Sequence, residues 1–468
     1  MKIKIQFVTD RDNQSITEDI ICLERQELSA ETLGLILMEA KKITAEIQKK
    51  MVYHQIKDFV SQNRFCSCCG TARSIKGYHP LVYRTLFGRL VLKSPRVLTC
   101  QCQPQSQPHY SFSPLCSVLT THISPELSYL EAKWASLMSY GMSAKLLEEV
   151  LPLEAHPASI FTNLQKVSTR LEAELEEEKL IFIEGCQRDW DQLPRPGTPL
   201  TISLDGGYVH AREGNNRKAG WFEVIVGKSM QEKQKPKRFG YVTDYETKPK
   251  RKLYAMLHNQ GLQLNQDITF ITDGGDTVRD LPLFLSPRSD HILDWFHITM
   301  RITVIKQMAK SVMGGDLPNF EKRLDRIKWF LWHGNVFKAL DILESLDFEL
   351  DTEVFAEGKD AKKHKKYKLY QSVDEFYKYI EANSTFIPNY GERYRYGEAV
   401  SSAVAESTVN EMVSRRMAKK QQMRWTKEGA HALLQVRAQT LNDELSDSFK
   451  RWYPKMVQSN AISLPLAA

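Results

Sequence analysis

Two short runs of apolar and β-branched residues each lead into an aspartate that two glycines follow. Residues 200–204 (LTISL) precede Asp205, and residues 267–272 (DITFIT) precede Asp273. Runs of this kind predict buried strands, and the glycines leave room around the carboxylates. Carboxylate oxygens with open positions for phosphates are the ligands that Mg²⁺ prefers, so the repeated pattern predicts a shared cation site. The alternative is that each Asp-Gly pair only begins a turn.

The segments between these two runs predict how the aspartates meet. Residues 221–227 and 239–243 have the pattern of strands, and residues 251–260 have that of a helix. Three strands, a helix and a fourth strand are typical of the start of a ribonuclease H-like domain, in which the first and fourth strands are neighbours. That adjacency predicts that Asp205 and Asp273 lie within reach of one metal ion.

A D-x-x-H element follows the second aspartate. Residues 289–297 (SDHILDWFH) predict a strand that enters a long helix, and residues 300–390 are predominantly helical. Asp294 and His297 are three residues apart, so they share one helical face near the predicted site. The alternative role for His297 is to cap or pack the start of the helix.

The third predicted carboxylate is Glu406, on a helix rich in alanine and serine. These small residues would allow the helix to pack closely against a sheet, so that Glu406 would complete an Asp-Asp-Glu triad with Asp205 and Asp273. Glu398 and Glu411 are rival candidates, and the alternative is that Glu406 is an isolated surface glutamate. A basic stretch follows, and we expect its side chains to contact a DNA backbone: Arg415, Arg416, Lys419, Lys420 and Arg424.

Cysteine pairs nearer the amino terminus predict a zinc ribbon, in which thiolates on a tetrahedral metal ion replace a hydrophobic core. Residues 81–92, between the pairs, predict a β-hairpin. Cys68 could replace either neighbouring cysteine, and free thiols in a small β-domain are the alternative. The predicted zinc ligands are Cys66, Cys69, Cys100 and Cys102. The basic residues around them suit phosphate contacts: Arg64, Arg73, Lys76, Arg84, Arg89, Lys93 and Arg96.

Residues 143–151 and 158–171 predict two helices separated by a proline-containing break, which is the layout of a helix-turn-helix. In that layout the second helix would enter the major groove of DNA. A small three-helix cluster without DNA contacts has the same pattern. Residues 31–59 predict a long amphipathic helix that packs on its own core or forms a dimer contact. The predicted groove-facing residues are Ser159, Thr162, Asn163 and Lys166.

Composition limits the class of protein. The chain has 468 residues, 42% of them hydrophobic, and its net charge of +7 favours an anionic partner. Its first residues (MKIKIQF) lack the apolar core of a signal peptide, and no run of about 18 apolar residues occurs. We therefore expect a cytoplasmic, nucleoid-associated protein whose eight cysteines are thiols or metal ligands.

These patterns predict an α+β multidomain protein. Its ribonuclease H-like α/β core contains a helical insertion and is preceded by zinc-ribbon-like and helix-turn-helix segments. The predicted divisions are 1–62 (amino-terminal strand and amphipathic helix), 63–118 (zinc ribbon), 119–193 (helix-turn-helix region), 194–300 (first part of the core), 301–395 (helical insertion) and 396–468 (catalytic-glutamate helix and basic carboxyl-terminal helices).

The sequence resembles the ISKra-type insertion-sequence transposases, a bacterial group with a DDE ribonuclease H-like core. The resemblance covers residues 60–445 and rests on SLDGGYVH, ITDGGDTVRDL, ILDWFHITMR and AVAESTVNEMVSRRMAKKQQMRWTKEGAHALLQVR. The D-x-x-H element is similar to the C/D-x-x-H motif of Mutator-like transposases. By matching motifs, the resemblance implies a catalytic triad of Asp205, Asp273 and Glu406, with Asp294 and His297 as auxiliary residues.

The resemblance also implies a reaction. A DDE transposase is a polynucleotidyl transferase that binds terminal repeats in double-stranded DNA, cleaves the element ends and joins them to target DNA. Its cofactors would be two Mg²⁺ ions about 3.5–4 Å apart, which Mn²⁺ can replace, together with structural Zn²⁺. Pairing of two ends implies a homodimer or a larger assembly. The alternatives are a catalytically silent DNA-binding regulator and a metal-dependent structure-specific nuclease.

Overall fold

Helices and strands both contribute to this chain, which is a mixed α/β protein. The structure is a computed structural model that describes residues 1–11, 14–100, 102, 111–175, 188, 192–194, 197–212, 220–263, 265–275, 281, 289–356, 362, 364–402, 408–418 and 424–457. The chain divides into two compact units, an amino-terminal unit of Met1–Val167 with Leu445–Ala468 and a central unit of Ser168–Glu444. No helix among the described residues is long and apolar enough to cross a membrane.

The elements run as follows in chain order. The strands are β1 (Lys2–Arg11), β2 (Gln14–Glu24), β3 (Ile75–Thr85), β4 (Gly88–Leu98), β5 (Ser111–Phe112), β6 (Leu200–His210), β7 (Trp221–Met230), β8 (Lys237–Val242), β9 (Ile268–Thr272) and β10 (Asp290–Leu293). The helices are α1 (Leu37–Asn63), α2 (Pro125–Leu137), α3 (Tyr140–Val150), α4 (Pro157–Ala173), α5 (Pro249–Asn259), α6 (Trp295–Val312), α7 (Leu317–Trp332), α8 (Val336–Phe355), α9 (Tyr367–Ala382), α10 (Tyr390–Arg395), α11 (Lys427–Leu441) and α12 (Leu445–Trp452). A π-helical segment spans Asn410–Ala418.

The predicted hairpin of the amino-terminal unit is present as β3 and β4. The two strands are antiparallel, with Leu81 opposite Leu92. Because successive side chains of a strand alternate between its faces, these leucines share the buried face, where Val52 and Ile56 of α1 pack against them. The helix α1 begins at Leu37, whereas the apolar pattern predicts a start near residue 31.

Serines begin two helices of the amino-terminal unit. The Ser124 hydroxyl accepts a hydrogen bond from the Leu127 N–H at 3.4 Å before α2, and Ser139 accepts one from Met142 at 3.2 Å before α3. The predicted start of α3 at Ser143 is therefore corrected. Ser143 lies inside the helix, where its hydroxyl donates to the Ser139 carbonyl oxygen at 3.0 Å.

A mixed five-stranded sheet lies in the described part of the central unit, in the order β10-β9-β6-β7-β8. The strands β6, β9 and β10 are mutually parallel, while β7 is antiparallel to both β6 and β8. The predicted adjacency of the first and fourth strands, β6 and β9, is confirmed. The prediction that the first strand ends at Asp205 is wrong, because β6 continues to His210. Only the pairing of β6 with β9 ends near Asp205, at Leu204.

Different elements cover the two faces of this sheet. On one face, Leu204 and Phe270 pack with Leu253 of α5. The next residue, Asp205, points to the opposite face because side chains alternate along a strand. The π-helical segment and α11 pack on the sheet, and Val409 lies so close to Gly207 that a Cβ atom there would be 2.9 Å from Val409 Cγ1.

The helices α6 to α10 form a second core of the central unit, as the sequence predicts for residues 300–390. Its fully buried side chains include Ile298, Leu324, Leu343 and Phe376. Stripes of apolar residues at helical spacing produce this packing, since each helix buries one face.

Candidate functional site

Three aspartates lie at the same level of the central sheet. Leu204 of β6 and Leu293 of β10 both pair with Thr272 of the middle strand, β9. The next residues along the three strands are Asp205, Asp294 and Asp273, and we call them the aspartate row. Because neighbouring strands are about 4.8 Å apart, the register places all three along one edge of the sheet.

The carboxyl group of Asp205 is strongly affected by its surroundings. Burial and, after it, the negative charge of Asp273 raise the pKa of Asp205 to about 6, and Asp294 acts in the same direction. His297 and the backbone N–H of Gly206 oppose this rise in pKa. A cation bound at this carboxyl would lower its pKa, because opposite charge favours the ionised form.

The turn after β9 fixes Asp273. The Gly275 N–H donates to Asp273 Oδ1 at 3.0 Å, and the Tyr379 hydroxyl donates to the Asp273 carbonyl oxygen at 2.8 Å. Gly274, between Asp273 and Gly275, has a φ of +85°, and a Cβ atom on it would lie 2.6 Å from Asn383 Oδ1. The turn therefore requires glycine at residue 274.

Asp294 is buried and serves as the N-cap of α6. Its Oδ1 accepts hydrogen bonds from the N–H of Phe296 at 2.9 Å and of Ser402 at 3.2 Å, while the Ser402 hydroxyl donates to Oδ2. His297 Nε2 is 3.8 Å from Asp294 Oδ2. Both oxygens of Asp294 are thus occupied by hydrogen bonds, which gives this residue a positioning role.

The third predicted carboxylate, Glu406, lies outside the described residues. The described residues on either side of it belong to the surroundings of the row, since Ser402 is hydrogen-bonded to Asp294 and Val409 packs on Gly207. The rival Glu398 is 2.9 Å from Arg393 Nε. The other rival, Glu411, is 2.8 Å from Arg238 Nε. Both rivals are therefore engaged in ion pairs.

The basic residues predicted to contact DNA have different environments. Arg415 and Arg424 are exposed. Arg416 is fully buried, with its guanidinium carbon 5.3 Å from the centre of the Trp425 ring, so the structure does not place it on the surface that the prediction requires. Lys419 and Lys420 lie outside the described residues.

The four predicted zinc ligands come together. Cys66 Sγ is 3.5 Å from Cys102 Sγ, and Cys69 Sγ is 3.3 Å from Cys100 Sγ. All four sulfurs lie within 4.8 Å of one another, and Cys68 is not part of the group. Zinc–sulfur bonds of about 2.3 Å in a tetrahedron separate two sulfurs by about 3.8 Å, so the cluster has the size that a zinc ion requires.

The turn formed by residues 66–70 favours the thiolate form of Cys66. The backbone N–H groups of Cys69 and Cys68 and, after them, the Cys102 thiol lower the pKa of Cys66 to about 6. Gly70, at a φ of +69°, turns the chain so that its N–H donates to the Cys66 carbonyl oxygen at 2.9 Å. Because thiolates are the form that binds zinc, this local geometry fits a metal centre.

The four residues predicted to enter the major groove do not share one exposed face. Thr162 and Lys166 of α4 are exposed, and Ser159 is partly buried. The prediction for Asn163 needs correction, because its side chain is buried and its Oδ1 accepts a hydrogen bond from the Ser128 hydroxyl at 2.8 Å. Asn163 therefore joins α4 to α2 within the helical cluster.

A buried polar network in the central unit has no counterpart in the sequence-based predictions. Lys252 Nζ lies 3.0 Å from Glu172 and 3.1 Å from Glu246, and His431 Nε2 is 2.6 Å from Glu172 Oε1. Burial acts to raise the pKa of Glu172, but the His431 hydrogen bond and the Lys252 charge outweigh it and lower this pKa to about 2. Residues so distant in sequence leave no local motif.

Among the described residues, this network and the cysteine cluster are the two groups of three or more possible metal ligands whose ligand atoms all lie within 4.8 Å of one another. The three aspartates of the row do not meet this distance. The Val242 N–H donates to His431 Nδ1 at 3.4 Å, which assigns the ring proton to Nε2, facing Glu172. Metal binding requires a free lone pair on that nitrogen, and Lys252 already supplies the positive charge. The network therefore fits a buried ion-pair cluster better than a metal site.

No protein-family model matches the chain, and a comparison with curated proteins gives no match. The motifs and the geometry of the sites are therefore the basis for assigning a function.

Proposed function

We propose that this chain is a DNA transposase of the ISKra type, which cleaves DNA at the ends of an insertion sequence and joins those ends to target DNA. The aspartate row carries the proposal, because Asp205 and Asp273 leave adjacent parallel strands at the same level. Two neighbouring carboxylates of this kind are the shared part of a metal-dependent phosphoryl-transfer site.

The order of the central sheet supports a ribonuclease H-like core. Strands β6, β7 and β8 are antiparallel neighbours, and β9 and β10 extend the sheet in parallel on the other side of β6. This is the neighbour relation that the proposed core requires of its first and fourth strands. One fold supports many activities, so the function is argued from the residues on the sheet.

The row fits divalent metal ions in ligand type and in charge. Without a cation, burial and Asp273 make the ionised form of Asp205 unfavourable, as its raised pKa indicates. Carboxylate oxygens are the ligands that Mg²⁺ prefers. We assign Asp205, Asp273 and Glu406 as ligands, and bound Mg²⁺ would stabilise negative charge on the attacking and leaving oxygens of the phosphodiester.

Other residues of the chain hold these ligands in place. Asp294 joins the start of α6 to Ser402, which lies four residues before Glu406 in the chain. Tyr379 and the Gly274 turn hold Asp273. We assign His297, on the first turn of α6, an auxiliary role beside the substrate phosphate.

We assign DNA binding to exposed basic side chains around these elements. The zinc ribbon and the helices α3 and α4 would read the terminal repeats, and the basic residues after the π-helical segment would hold the backbone. Affinity should therefore fall steeply with salt, because each phosphate contact releases counterions. The exposed cations that support this assignment are Arg89, Lys93, Arg96, Lys166, Arg415 and Arg424.

The experiment that tests the proposal is a mobility assay in cells, with the native flanking DNA on a donor plasmid. Wild type is compared with Asp205→Asn, Asp273→Asn and Glu406→Gln, and the matched control is Asp267→Asn, an exposed aspartate just before β9. Movement should fall to background in the first three variants and persist in the control. Protein level and DNA affinity are measured in parallel.

Three other outcomes contradict the proposal in different ways. Wild type that binds the ends but neither moves nor cleaves them favours a silent regulator. Cleavage without joining favours a structure-specific nuclease. Undiminished movement in Asp205→Asn means that the metal ligands lie elsewhere.

A further inference from the structure

The hydrophobic core of the amino-terminal unit is open on one side. Leu81, Leu90 and Leu92 of the β3–β4 hairpin are buried, but the apolar side chains that pack against them are only partly buried. Beside them a cavity of about 490 Å³ lies between α1, the hairpin, the 3₁₀ turn Pro114–Ser117 and the start of α2, and we call it the hairpin cavity. This volume is within the range of about 300–1,000 Å³ that is usual for ligand sites. The partly buried side chains are Val52, Ile56, Tyr83 and Leu119.

The walls of the hairpin cavity are mostly apolar. Phe59 of α1 and Leu86 and Phe87 of the hairpin turn contribute to them, and Glu126 is the one charged residue among the described residues that line the cavity. Val118 also lines the cavity and is 58% exposed, so the cavity is open to solvent at this residue. Because burial of an unpaired charge is costly, these walls select an apolar occupant without charged side chains.

Helix α12 packs next to this cavity. The ring of Phe449 on α12 has its centre 5.3 Å from that of the Tyr129 ring on α2. Tyr129 and the cavity residue Glu126 are three residues apart, so they lie on the same face of α2. Contact with this face therefore brings α12 within about one helical turn of the cavity wall.

The chain after α12 stays near the cavity. Burial raises the pKa of Tyr83, and the charges of Glu126 and Tyr453 add to this rise, which requires that Tyr453 lie near Tyr83. The 3₁₀ turn Pro454–Val457 follows directly. Four residues in this conformation advance the chain by only about 8 Å, so the turn ends close to the hairpin cavity.

The sequence that follows this turn suits the cavity. Residues 458–468 (QSNAISLPLAA), which we call the tail, contain no charged side chain, and Ile462, Leu464 and Leu466 occupy alternate positions. Pro465 favours an extended conformation at the preceding residue, and alternate side chains of an extended chain share one face. At about 3.3–3.6 Å per residue, Ile462 can reach about 17 Å from the end of the turn. Three apolar side chains of the tail can therefore enter the cavity together.

We propose that the hairpin cavity binds an extended apolar peptide segment, and that residues 461–466 of the same chain occupy it. Ile462, Leu464 and Leu466 complete the core that the buried leucines of the hairpin begin. Residues 103–110 (QPQSQPHY), which precede β5, are mostly polar and suit the cavity less. The contact involves neither the aspartate row nor the cysteine cluster, so the inference goes beyond the proposed function and does not depend on it.

Photochemical cross-linking in the full-length protein tests the occupant. Benzoylphenylalanine replaces Leu464, the protein is irradiated at low micromolar concentration, and mass spectrometry of the digested protein locates the new bond. Residue 464 should be joined to α1 or to the hairpin within a single chain. Val118→Asp should lower the yield at least about fivefold, because it places a charge at the cavity. The matched control is Val150→Asp, at a residue 45% exposed on α3, and it should leave the yield unchanged.

Other results of this experiment overturn the proposal. A bond from residue 464 to a residue away from the hairpin cavity, or a yield that Val118→Asp does not change, means that the tail lies elsewhere. A product with twice the mass of the chain means that a second copy receives the tail. Absence of any cross-link means that the tail is not bound.

Competition with a free peptide tests whether the cavity and the tail recognise each other. The probe is a fluorescein-labelled peptide of residues 458–468, and its fluorescence anisotropy is measured. The peptide should bind full-length Ile462→Asp/Leu464→Asp, whose own tail leaves the cavity open and whose circular dichroism spectrum should be unchanged. It should bind wild type at least about tenfold more weakly, because the linked tail competes at an effective concentration in the millimolar range.

A peptide carrying Leu464→Asp is the control and should bind neither protein. Equal affinity of the unchanged peptide for wild type and for the variant overturns the proposal, as does a failure to bind either protein.

Discussion

Asp205 is a residue at which stability and the proposed function conflict. Its carboxyl is partly buried beside two other aspartates, and its raised pKa shows that the ionised form is disfavoured in the folded chain. Buried titratable groups with like-charged neighbours occur preferentially at functional sites. A bound cation would remove the conflict, because opposite charge favours the ionised carboxylate, and Asp205 is therefore a sensitive probe of the proposed site.

Replacing Asp205 with asparagine should stabilise the metal-free protein at pH 7.5 by roughly 1–3 kcal/mol. The pKa of Asp205 is about 6 in the folded chain against an ordinary value of 3.8. Between these values the folded protein holds a proton that the unfolded chain has released, so stability falls as the pH rises from about 4 to about 6. Above pH 6 the full penalty remains, and the asparagine variant avoids it.

Urea unfolding of wild type and Asp205→Asn at pH 4 and pH 7.5, without divalent metal and without chelator, measures this difference. The gap in free energy of unfolding should be present at pH 7.5 and should shrink at pH 4. Asp267→Asn, at an exposed aspartate, should show little change at either pH. A destabilised Asp205→Asn at pH 7.5 would contradict the electrostatic account.

Local patterns predicted some of these residues and misplaced others. Asp205 and Asp273 each follow an apolar run, so their placement could be predicted from a few neighbours in the chain. Asn163 could not be placed in this way, because its partner Ser128 is 35 residues away. Arginine is usually a surface residue, so the burial of Arg416 could not be predicted from its type. It follows from the contact with the Trp425 ring, which forms only in the folded chain.

Among the elements, the turn after β9 is tightly constrained by its backbone conformation and by its neighbours. Gly274→Ala should destabilise the protein by about 2–4 kcal/mol, since it combines a left-handed backbone with a Cβ atom 2.6 Å from Asn383 Oδ1 and 2.8 Å from Leu293 Cδ1. Gly261 is the matched control, with a φ of +84° and open space around it. Gly261→Ala should cost only about 1 kcal/mol. Equal losses in thermal unfolding would mean that the contacts at residue 274 are unimportant.

The cysteine cluster, as the proposed zinc site, makes a separate prediction. Cys66→Ser should lower the zinc content by about one ion per chain and loosen the β3–β4 hairpin, because a bound zinc ion would replace a hydrophobic core there. Cys68→Ser, two residues away and outside the cluster, should keep its zinc. Elemental analysis of the purified proteins gives the readout. Loss of zinc in Cys68→Ser alone would move the site to a different set of cysteines.

At the scale of the molecule, buried charges join distant parts of the central unit. Lys252 of α5 meets Glu172 of α4 and Glu246 after β8. Lys252→Met should lower the free energy of unfolding by about 2–4 kcal/mol, because it leaves two partly buried carboxylates without their buried cation. Lys235→Met removes an exposed ion pair with Asp443 and should cost at most about 1 kcal/mol. Similar losses in the two variants would contradict the assigned burial.

The division of the chain also depends on contacts that a local pattern does not contain. Composition suggests six consecutive segments, whereas contacts group the chain into two units, of which the amino-terminal one includes the last helix, α12. Phe449 of that helix meets Tyr129 of α2, with ring centres 5.3 Å apart. Each of these two helices has an amphipathic pattern of its own, but neither pattern indicates which helix it packs against.

The π-helical segment Asn410–Ala418 has a consequence for how this protein can change over time. A π-helix closes its hydrogen bonds between residues i and i+5 instead of i and i+4, so its length decides which side chains of the segment face the sheet. In the present alignment Val409, just before the segment, packs on Gly207, and Glu411 within it is paired with Arg238. Point substitutions keep this alignment, but single-residue insertions and deletions in the segment should inactivate the protein even where every named side chain survives.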